Sequence, residues 1–82
     1  MAKLPVVSGL ELLKLLKSLG YEVVRQKGSH VQLRKRTQAG DHNITVPLHD
    51  EVAKGTLGDI LSKVSIWCGI SKDELIEMLI KT

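Results

Sequence analysis

The stretch "YEVVRQKGSHVQLRKR", residues 21–36, decides the fold because it predicts two strands joined by a tight turn. Its first part, "YEVVRQ", is rich in residues that favour strands, and "HVQLRKR" begins with strict alternation of polar and apolar residues. Gly28 and Ser29 lie between the two parts and form the kind of dipeptide that closes a two-residue turn. The stretch therefore predicts an antiparallel hairpin.

The register of this hairpin predicts which side chains share a face of the sheet, since pairs are counted outward from the turn. The predicted pairs are Lys27 with His30, Arg25 with Gln32, and Val23 with Arg34. Side chains alternate between the two faces of a strand. The face towards the helices is therefore predicted to carry Val24, Val31 and Leu33. The opposite face is predicted to carry Arg25, Lys27, His30, Gln32, Arg34 and Arg36.

A helix is predicted before the hairpin. Ser8 is followed three residues later by Glu11, which is the pattern of a capping box at a helix start. Gly20 is expected to end this helix in a left-handed conformation. Leucines at helical spacing predict its buried stripe. They are Leu12, Leu15, Leu16 and Leu19, with Leu10 and Leu13 widening the stripe.

Two further helices are predicted near the C-terminus. Thr56 followed by Asp59 predicts the start of the second helix, and Gly69 predicts its end. Ser71 followed by Glu74 is another capping box and predicts the start of the third helix. The apolar face of this last helix is predicted to consist of Leu75, Ile76, Leu79 and Ile80.

A third strand is predicted between the hairpin and the second helix. "TQAGDH", residues 37–42, is expected to be a polar loop in which His42 is solvated. "NITVPL", residues 43–48, has strand alternation, and Pro47 suggests the end of that strand or an edge position. The predicted order is α-β-β-β-α-α, an α+β fold with a three-stranded antiparallel sheet and helices on one face.

The composition indicates one domain over residues 1–82. The chain has 82 residues, of which 43% are hydrophobic, and it has no Phe, one Tyr and one Trp. An aliphatic core is therefore expected, with Trp67 and the single cysteine, Cys68, as packing residues. A surface of aromatic side chains that stack on bases is not expected. The cysteine content fits the reducing cytoplasm, and neither export nor membrane insertion is expected from the sequence.

Basic residues concentrate in the hairpin. The formal charge is +3 and the isoelectric point is near 9.2. Five basic residues and no acidic residue lie between positions 23 and 40: Arg25, Lys27, Arg34, Lys35 and Arg36. Such a cluster predicts a polyanionic partner, and a solvated strand face is the alternative reading.

His30 lies at the rim of the predicted basic face. A neutral imidazole can accept the proton of a ribose 2′-hydroxyl, and a neighbouring Lys or Arg can stabilise the charge that develops on the adjacent phosphate. A single histidine is more often an ordinary surface residue, but its position among these cations favours a role in RNA chemistry. The sequence therefore offers His30 as a candidate catalytic residue.

Four segments in order, "GSHVQL", "ITVPLH", "VAKGTLGDIL" and "GISKDELIEML", resemble the HicA toxin family of toxin–antitoxin systems. The resemblance extends from about Ser8 to Leu79 and rests on the ordered set of segments. It implies a small mRNA interferase whose α-β-β-β-α fold is like that of a double-stranded-RNA-binding domain (dsRBD-like), here with an additional short C-terminal helix. It further implies a metal-independent endoribonuclease with His30 as the catalytic residue and a HicB-type antitoxin as the partner that blocks it.

One segment departs from the family pattern. "GDILSKVSIWC", residues 58–68, is about one helical turn longer than the usual spacing between the family's "GTL" and "GIS" segments. A longer second helix is the expected consequence. It affects the packing of the last helix and the antitoxin interface rather than the chemistry at His30.

The remaining predicted contacts surround His30. The predicted RNA-binding residues are Arg25, Lys27, Ser29, Gln32, Arg34, Arg36 and Lys54. Lys54 is included because a helix N-terminus favours anions, although an exposed lysine is the alternative. His49 is a candidate second proton carrier, or it orders the turn before the second helix.

No metal ion and no small-molecule cofactor are expected. The three histidines do not form a zinc pattern, and the basic face lacks the clustered carboxylates that magnesium prefers. A non-catalytic RNA-binding module is the alternative function, because the same face would suffice to contact phosphates and 2′-hydroxyls.

Overall fold

The computed structural model describes residues 4–81, and the remaining residues 1–3 and 82 of the predicted single domain lie outside the described residues. The helices are α1 (Gly9–Ser18), α2 (Lys54–Cys68) and α3 (Lys72–Lys81). The strands are β1 (Glu22–Lys27), β2 (His30–Thr37) and β3 (Gly40–Pro47). They form one antiparallel sheet in the order β1-β2-β3. The predicted α+β fold is confirmed.

Helix α1 begins and ends where the sequence predicts. The Glu11 amide donates to Ser8 Oγ over 3.2 Å, and the Ser8 amide donates to Glu11 Oε1 over 3.1 Å, which completes the capping box. Gly20 has a φ of +102° and follows the last turn. Its amide donates to the Lys17 carbonyl and the Tyr21 amide to the Leu16 carbonyl, the pair of bonds that closes a Schellman motif.

The first hairpin has the predicted turn. Lys27 pairs with His30, and Arg25 pairs with Gln32. Gly28 has a φ of +59°, the left-handed value that the first position of a type II′ turn requires. The hairpin is therefore closed by the two residues Gly28 and Ser29, and His30 is the first residue of β2.

A β-bulge changes the predicted register further along β1. The pairing shifts between Val23 and Arg25, so Val23 lies opposite Leu33 and Glu22 lies opposite Arg34. The predictions that Val23 pairs with Arg34 and that Val24 faces the helices are therefore wrong. The extra residue Val24 is 48% exposed and lines a cleft on the polar face of the sheet. A bulge inserts one residue and moves every side chain beyond it to the other face.

The predicted polar loop at residues 37–42 is a second tight turn. Thr37 pairs with Gly40, so only Gln38 and Ala39 connect β2 to β3. The Thr37 hydroxyl donates to the Gly40 carbonyl over 2.6 Å and accepts from the Ala39 amide. Side-chain bonds of this kind close turns locally, and both strands are consequently longer than the sequence predicts.

The core lies between the sheet and the helices and is aliphatic, as expected. Val31 and Leu33 of β2 and Ile44 and Val46 of β3 are buried on one face of the sheet. The helices contribute Leu12, Leu15, Leu16, Leu57, Ile60, Leu61, Val64, Leu75, Ile76 and Leu79 to the same cluster. Leu10 and Ile80 are exposed, and the prediction that they belong to the buried faces of α1 and α3 is wrong.

Helix α2 begins three residues earlier than predicted. Its N-cap is Ala53, which provides no side-chain hydrogen bond, so Thr56 lies inside the first turn and is not a cap. Gly69, with a φ of +67°, ends the helix as predicted. At the start of α3 the Glu74 amide donates to Ser71 Oγ over 3.1 Å, which confirms Ser71 as a capping residue.

The prediction that His42 is solvated is wrong. His42 belongs to β3, is 6% exposed, and lies within 2.6 Å, at Nδ1, of the Tyr21 hydroxyl. Its ring stacks on the indole of Trp67 with centroids 4.9 Å apart. Burial and the nearby charge of Lys63 lower the pKa of His42 from its ordinary value. Trp67 and the half-buried Cys68 pack at this end of the domain, as predicted.

Candidate functional site

The exposed imidazole of His30 lies on the sheet face opposite the core. Its neighbours in the sheet are Lys27 of β1 and Pro47 of β3. Val31, the next residue, is buried, so alternation directs the His30 side chain to the open face as the sequence predicts. The core face is covered by helices, while this face is open to a large ligand.

A cleft on the open face brings most of the predicted site residues together. Arg25, Lys27, Ser29, His30 and Gln32 line it, and the lining also includes Gly28 and Thr45. All of these side chains are exposed. We name this surface the basic cleft, because Arg25 and Lys27 line it together with the imidazole and no carboxylate lines it.

His49 lies beside His30. The two ring centroids are 6.5 Å apart and the ring planes are inclined by 73°. A second cleft, which shares His30 and Thr45 with the basic cleft, is lined by both histidines. We name this second cleft the histidine cleft; its full lining is His30, Thr45, Pro47, His49, Ala53 and Thr56. The fold thus brings two histidines that are far apart in the sequence close together in space.

Backbone hydrogen bonds fix the segment that carries His49. The Leu48 amide donates to the Ser29 carbonyl over 2.6 Å, so the residues that precede the two histidines are bonded to each other. The Gly9 amide donates to the His49 carbonyl over 2.9 Å, and the Val52 amide donates to the Val7 carbonyl over 2.8 Å. These bonds join the β3–α2 connection to the first hairpin turn and to the start of α1.

Positive charge on the open face is concentrated at the His30 end. At the other end, Glu22 lies opposite Arg34 and Asp41 lies opposite Arg36 in the strand register. Arg34 also donates through Nε to Asn43 Oδ1 over 3.0 Å. In contrast, the strand neighbours of Arg25 and Lys27 are not carboxylates: they are Gln32 and His30. The predicted contacts Arg34 and Arg36 are therefore partly compensated, whereas Arg25 and Lys27 are available to an anion.

Lys54 is the first residue of α2 and is exposed, but it does not line either cleft. Its neighbours Ala53 and Thr56 do line the histidine cleft. The first turn of α2 contains no acidic residue and its N-cap makes no side-chain bond. The N-terminus of α2 therefore faces the histidine cleft with its partial positive charge uncompensated.

A further cleft, between the polar face of the sheet and helix α2, was not predicted from the sequence. Asn43 and Thr45 share a cleft with Gln32 and Arg34, and Thr56, Asp59, Ile60 and Lys63 of α2 close its other side. The alternation of "NITVPL" contains the signal for the first two residues, because Ile44 and Val46 face the core and Asn43 and Thr45 must face away. The position of α2 depends on tertiary packing, and no local pattern specifies it.

Residues 4–81 hold no group of three or more side chains that could bind a metal ion. Within the same residues, no helix is both long and apolar enough to cross a membrane. The polar side chains that line the basic cleft and the histidine cleft are imidazoles, cations, an amide and hydroxyls.

These features define a small α+β domain that presents two neighbouring histidines and a cationic cleft on the open face of an antiparallel sheet. A family model described as HicA toxin of bacterial toxin–antitoxin systems matches residues 9–66. The chain belongs to the HicA toxin family, as its sequence resemblance implies. The match ends inside α2 and does not extend to α3. Comparisons with curated proteins and with solved structures gave no significant match.

Proposed function

We propose that this protein is a toxin that cleaves mRNA without a metal ion and that His30 is its catalytic residue. Family membership supports a role in a toxin–antitoxin system. The observation that carries the proposed chemistry is the exposed His30 imidazole, which lines a cleft together with Arg25 and Lys27. Cleavage of RNA at a 2′-hydroxyl requires a proton acceptor and a cationic surface for the phosphate, and this cleft offers both.

The remaining residues of the face are assigned to RNA binding. Lys27 and Arg25 contact the scissile phosphate, and the adjacent phosphates and sugars are bound by Ser29, Gln32, Arg34, Arg36 and Lys54. Phosphate contacts carry no direct information about base sequence. The described open face shows no aromatic platform on which bases could stack, since Trp67 stacks on His42 instead. Cleavage is therefore expected to be weakly specific for sequence.

The partner that controls this activity is proposed to be a HicB-type antitoxin, acting in the cytoplasm where mRNA is translated. An antitoxin that covered the basic cleft would exclude RNA from His30. Its surface would need acidic or amide side chains to complement Arg25 and Lys27.

A second candidate function is RNA binding without catalysis. Within residues 4–81, neither the His30 nor the His49 ring makes a hydrogen bond, so no carboxylate or carbonyl orients either imidazole. Catalytic bases are often oriented by a third group of this kind. The same basic face would still bind phosphates and 2′-hydroxyls.

Induced expression of the wild type and of His30→Ala separates the two candidates. A ribonuclease centred on His30 arrests growth and fragments mRNA in the wild type, and His30→Ala does neither while accumulating as a folded protein. Gln38→Ala, at the β2–β3 turn at the opposite end of β2, serves as a control that should behave as the wild type. Equal growth and intact RNA in both strains, with both proteins folded, would favour the binding module.

A further inference from the structure

The geometry points to His49 as the general acid that protonates the leaving 5′-oxygen during RNA cleavage, opposite His30 as the general base. This inference rests on the proposed ribonuclease function and extends it to a second catalytic residue. It also specifies the reaction as an internal transfer, which restricts the substrate to nucleic acid with a 2′-hydroxyl at the cleaved position.

The separation of the two rings fits a phosphate between them. With centroids 6.5 Å apart and planes inclined by 73°, the imidazoles are too far apart to bond each other directly. A proton donor or acceptor must lie within about 2.6–3.2 Å of the atom it serves. The two rings are close enough for each to contact an oxygen of the same phosphate group from its own side. Thr45 and Thr56 complete the walls of the histidine cleft with neutral hydroxyls.

Backbone hydrogen bonds fix the two segments that carry these rings. Ser29, which precedes His30, is bonded to Leu48, which precedes His49. The carbonyl of His49 itself accepts from the Gly9 amide, so α1 also fixes the segment. Pre-positioned reacting groups lower the entropic part of a barrier, whereas side chains on an unrestrained loop do not. Both histidines are exposed, so neither ring serves the core.

The distribution of charge assigns the two roles. Arg25 and Lys27 line the basic cleft with His30 and are absent from the lining of the histidine cleft. Cations beside His30 stabilise the negative charge that develops as the attacking 2′-oxygen loses its proton. No Lys or Arg side chain lines the cleft at His49, and the partial charge of the α2 N-terminus is smaller than that of a full cation, so the leaving 5′-oxygen there depends on receiving a proton. His30 is accordingly the base and His49 the acid.

The complete step balances with these two groups alone. His30 takes the proton of the 2′-hydroxyl, and the 2′-oxygen forms a bond to phosphorus. The bond between phosphorus and the 5′-oxygen breaks, its electron pair remains on that oxygen, and His49 donates a proton to it. The products are a 2′,3′-cyclic phosphate and a 5′-hydroxyl, and no water, metal ion or oxidant enters the step.

A substrate whose leaving group needs no proton tests the assignment. One cleavage site of the purified wild type is first mapped on an RNA. An oligonucleotide with sulfur in place of the bridging 5′-oxygen at that site is then compared with its all-oxygen counterpart under single-turnover conditions. His49→Ala should lose about 10²- to 10⁴-fold in rate on the oxygen substrate, the usual contribution of one proton-transfer group. On the sulfur substrate it should cleave at nearly the wild-type rate, because a thiolate leaves unprotonated.

His30→Ala gives the complementary result, since loss of the base slows both substrates. His49→Gln, which keeps a polar side chain, should behave as His49→Ala, and Gln38→Ala as the wild type. The inference is overturned if His49→Ala cleaves the oxygen RNA at the wild-type rate, if sulfur does not rescue it, or if sulfur rescues His30→Ala instead. Failure of the wild type to cleave any RNA would instead refute the proposed function.

Discussion

His42 shows how one residue can have a role that its sequence context hides. Its sequence neighbours, Asp41 and Asn43, are polar and exposed. His42 itself is buried against Tyr21 and Trp67. The Tyr21 hydroxyl and Nδ1 of His42 share a hydrogen bond over 2.6 Å, which holds the ring in its buried position. His42 is therefore a structural histidine, whereas His30 and His49 are exposed.

The buried His42 predicts a pH dependence of stability. Desolvation, with a further contribution from Lys63, holds its pKa in the folded state below the ordinary value of 6.5. As pH falls below that value, the unfolded chain binds a proton before the folded chain does, so the free energy of unfolding falls. Urea unfolding at about pH 7.5 and about pH 5 should show lower stability at the acidic pH.

His42→Gln is the matched variant for this measurement, because an amide oxygen can still accept from the Tyr21 hydroxyl but does not titrate. Its stability should change less between the two pH values than that of the wild type. An equal acid-induced loss in both proteins would show that other groups cause it.

At the scale of elements, α1 and the β3–α2 connection touch at Gly9. A Cβ atom on Gly9 would overlap the Pro47 carbonyl oxygen and lie 2.7 Å from Leu48 Cα. Both obstacles are backbone atoms, so the connection that carries His49 would have to move. Glycine is needed here for this close approach rather than for an unusual φ angle.

Gly9→Ala is therefore expected to destabilise the protein by about 1–3 kcal/mol, the usual cost of forcing extra atoms into a packed site. Gly55→Ala is the matched control, since Gly55 also lies in the first turn of a helix and a Cβ there meets no atom within 4 Å. That control should be neutral or stabilising by up to about 1 kcal/mol. Thermal unfolding of both variants provides the comparison, and equal stabilities would contradict the close packing.

Some parts of the site could be predicted from the sequence of these elements, and others could not. The tight turn at Gly28 and the alternation of β2 were sufficient to place His30, Lys27 and Arg25 on one face. The bulge at Val24 was not predictable, because an inserted residue has no signature in a strand that is exposed along its whole length. The proximity of His49 to His30 depends on long-range backbone bonds, which alternation and propensity do not describe.

At the scale of the whole molecule, charge is unevenly distributed between the two sides. The net charge of +3 is small, but Arg25 and Lys27 lie on the open face without opposed carboxylates. On the helical side, α1 carries exposed lysines together with Glu11. The unopposed positive charge therefore lies on one sheet face, and composition alone would not identify which face.

This asymmetry predicts which lysine contributes to salt-dependent RNA binding. Lys27→Gln should reduce the slope of log affinity against log salt concentration by about 0.7–0.9, the value for one lost phosphate contact. Lys14→Gln removes the same charge from the exposed side of α1 and should leave the slope unchanged. Titrations of a fluorescent RNA at several salt concentrations measure both slopes. Equal reductions in the two variants would indicate that binding follows net charge and not the open face.

We propose that His30, on the open face of the sheet, cleaves RNA without a metal ion. This claim is tested by incubating a labelled RNA with purified wild type and with His30→Ala in the presence of EDTA, with binding measured in parallel. We predict that the wild type cleaves the RNA and that His30→Ala binds it with unchanged affinity but leaves it intact. Cleavage by His30→Ala at the wild-type rate, or intact RNA with both folded proteins, would contradict the claim.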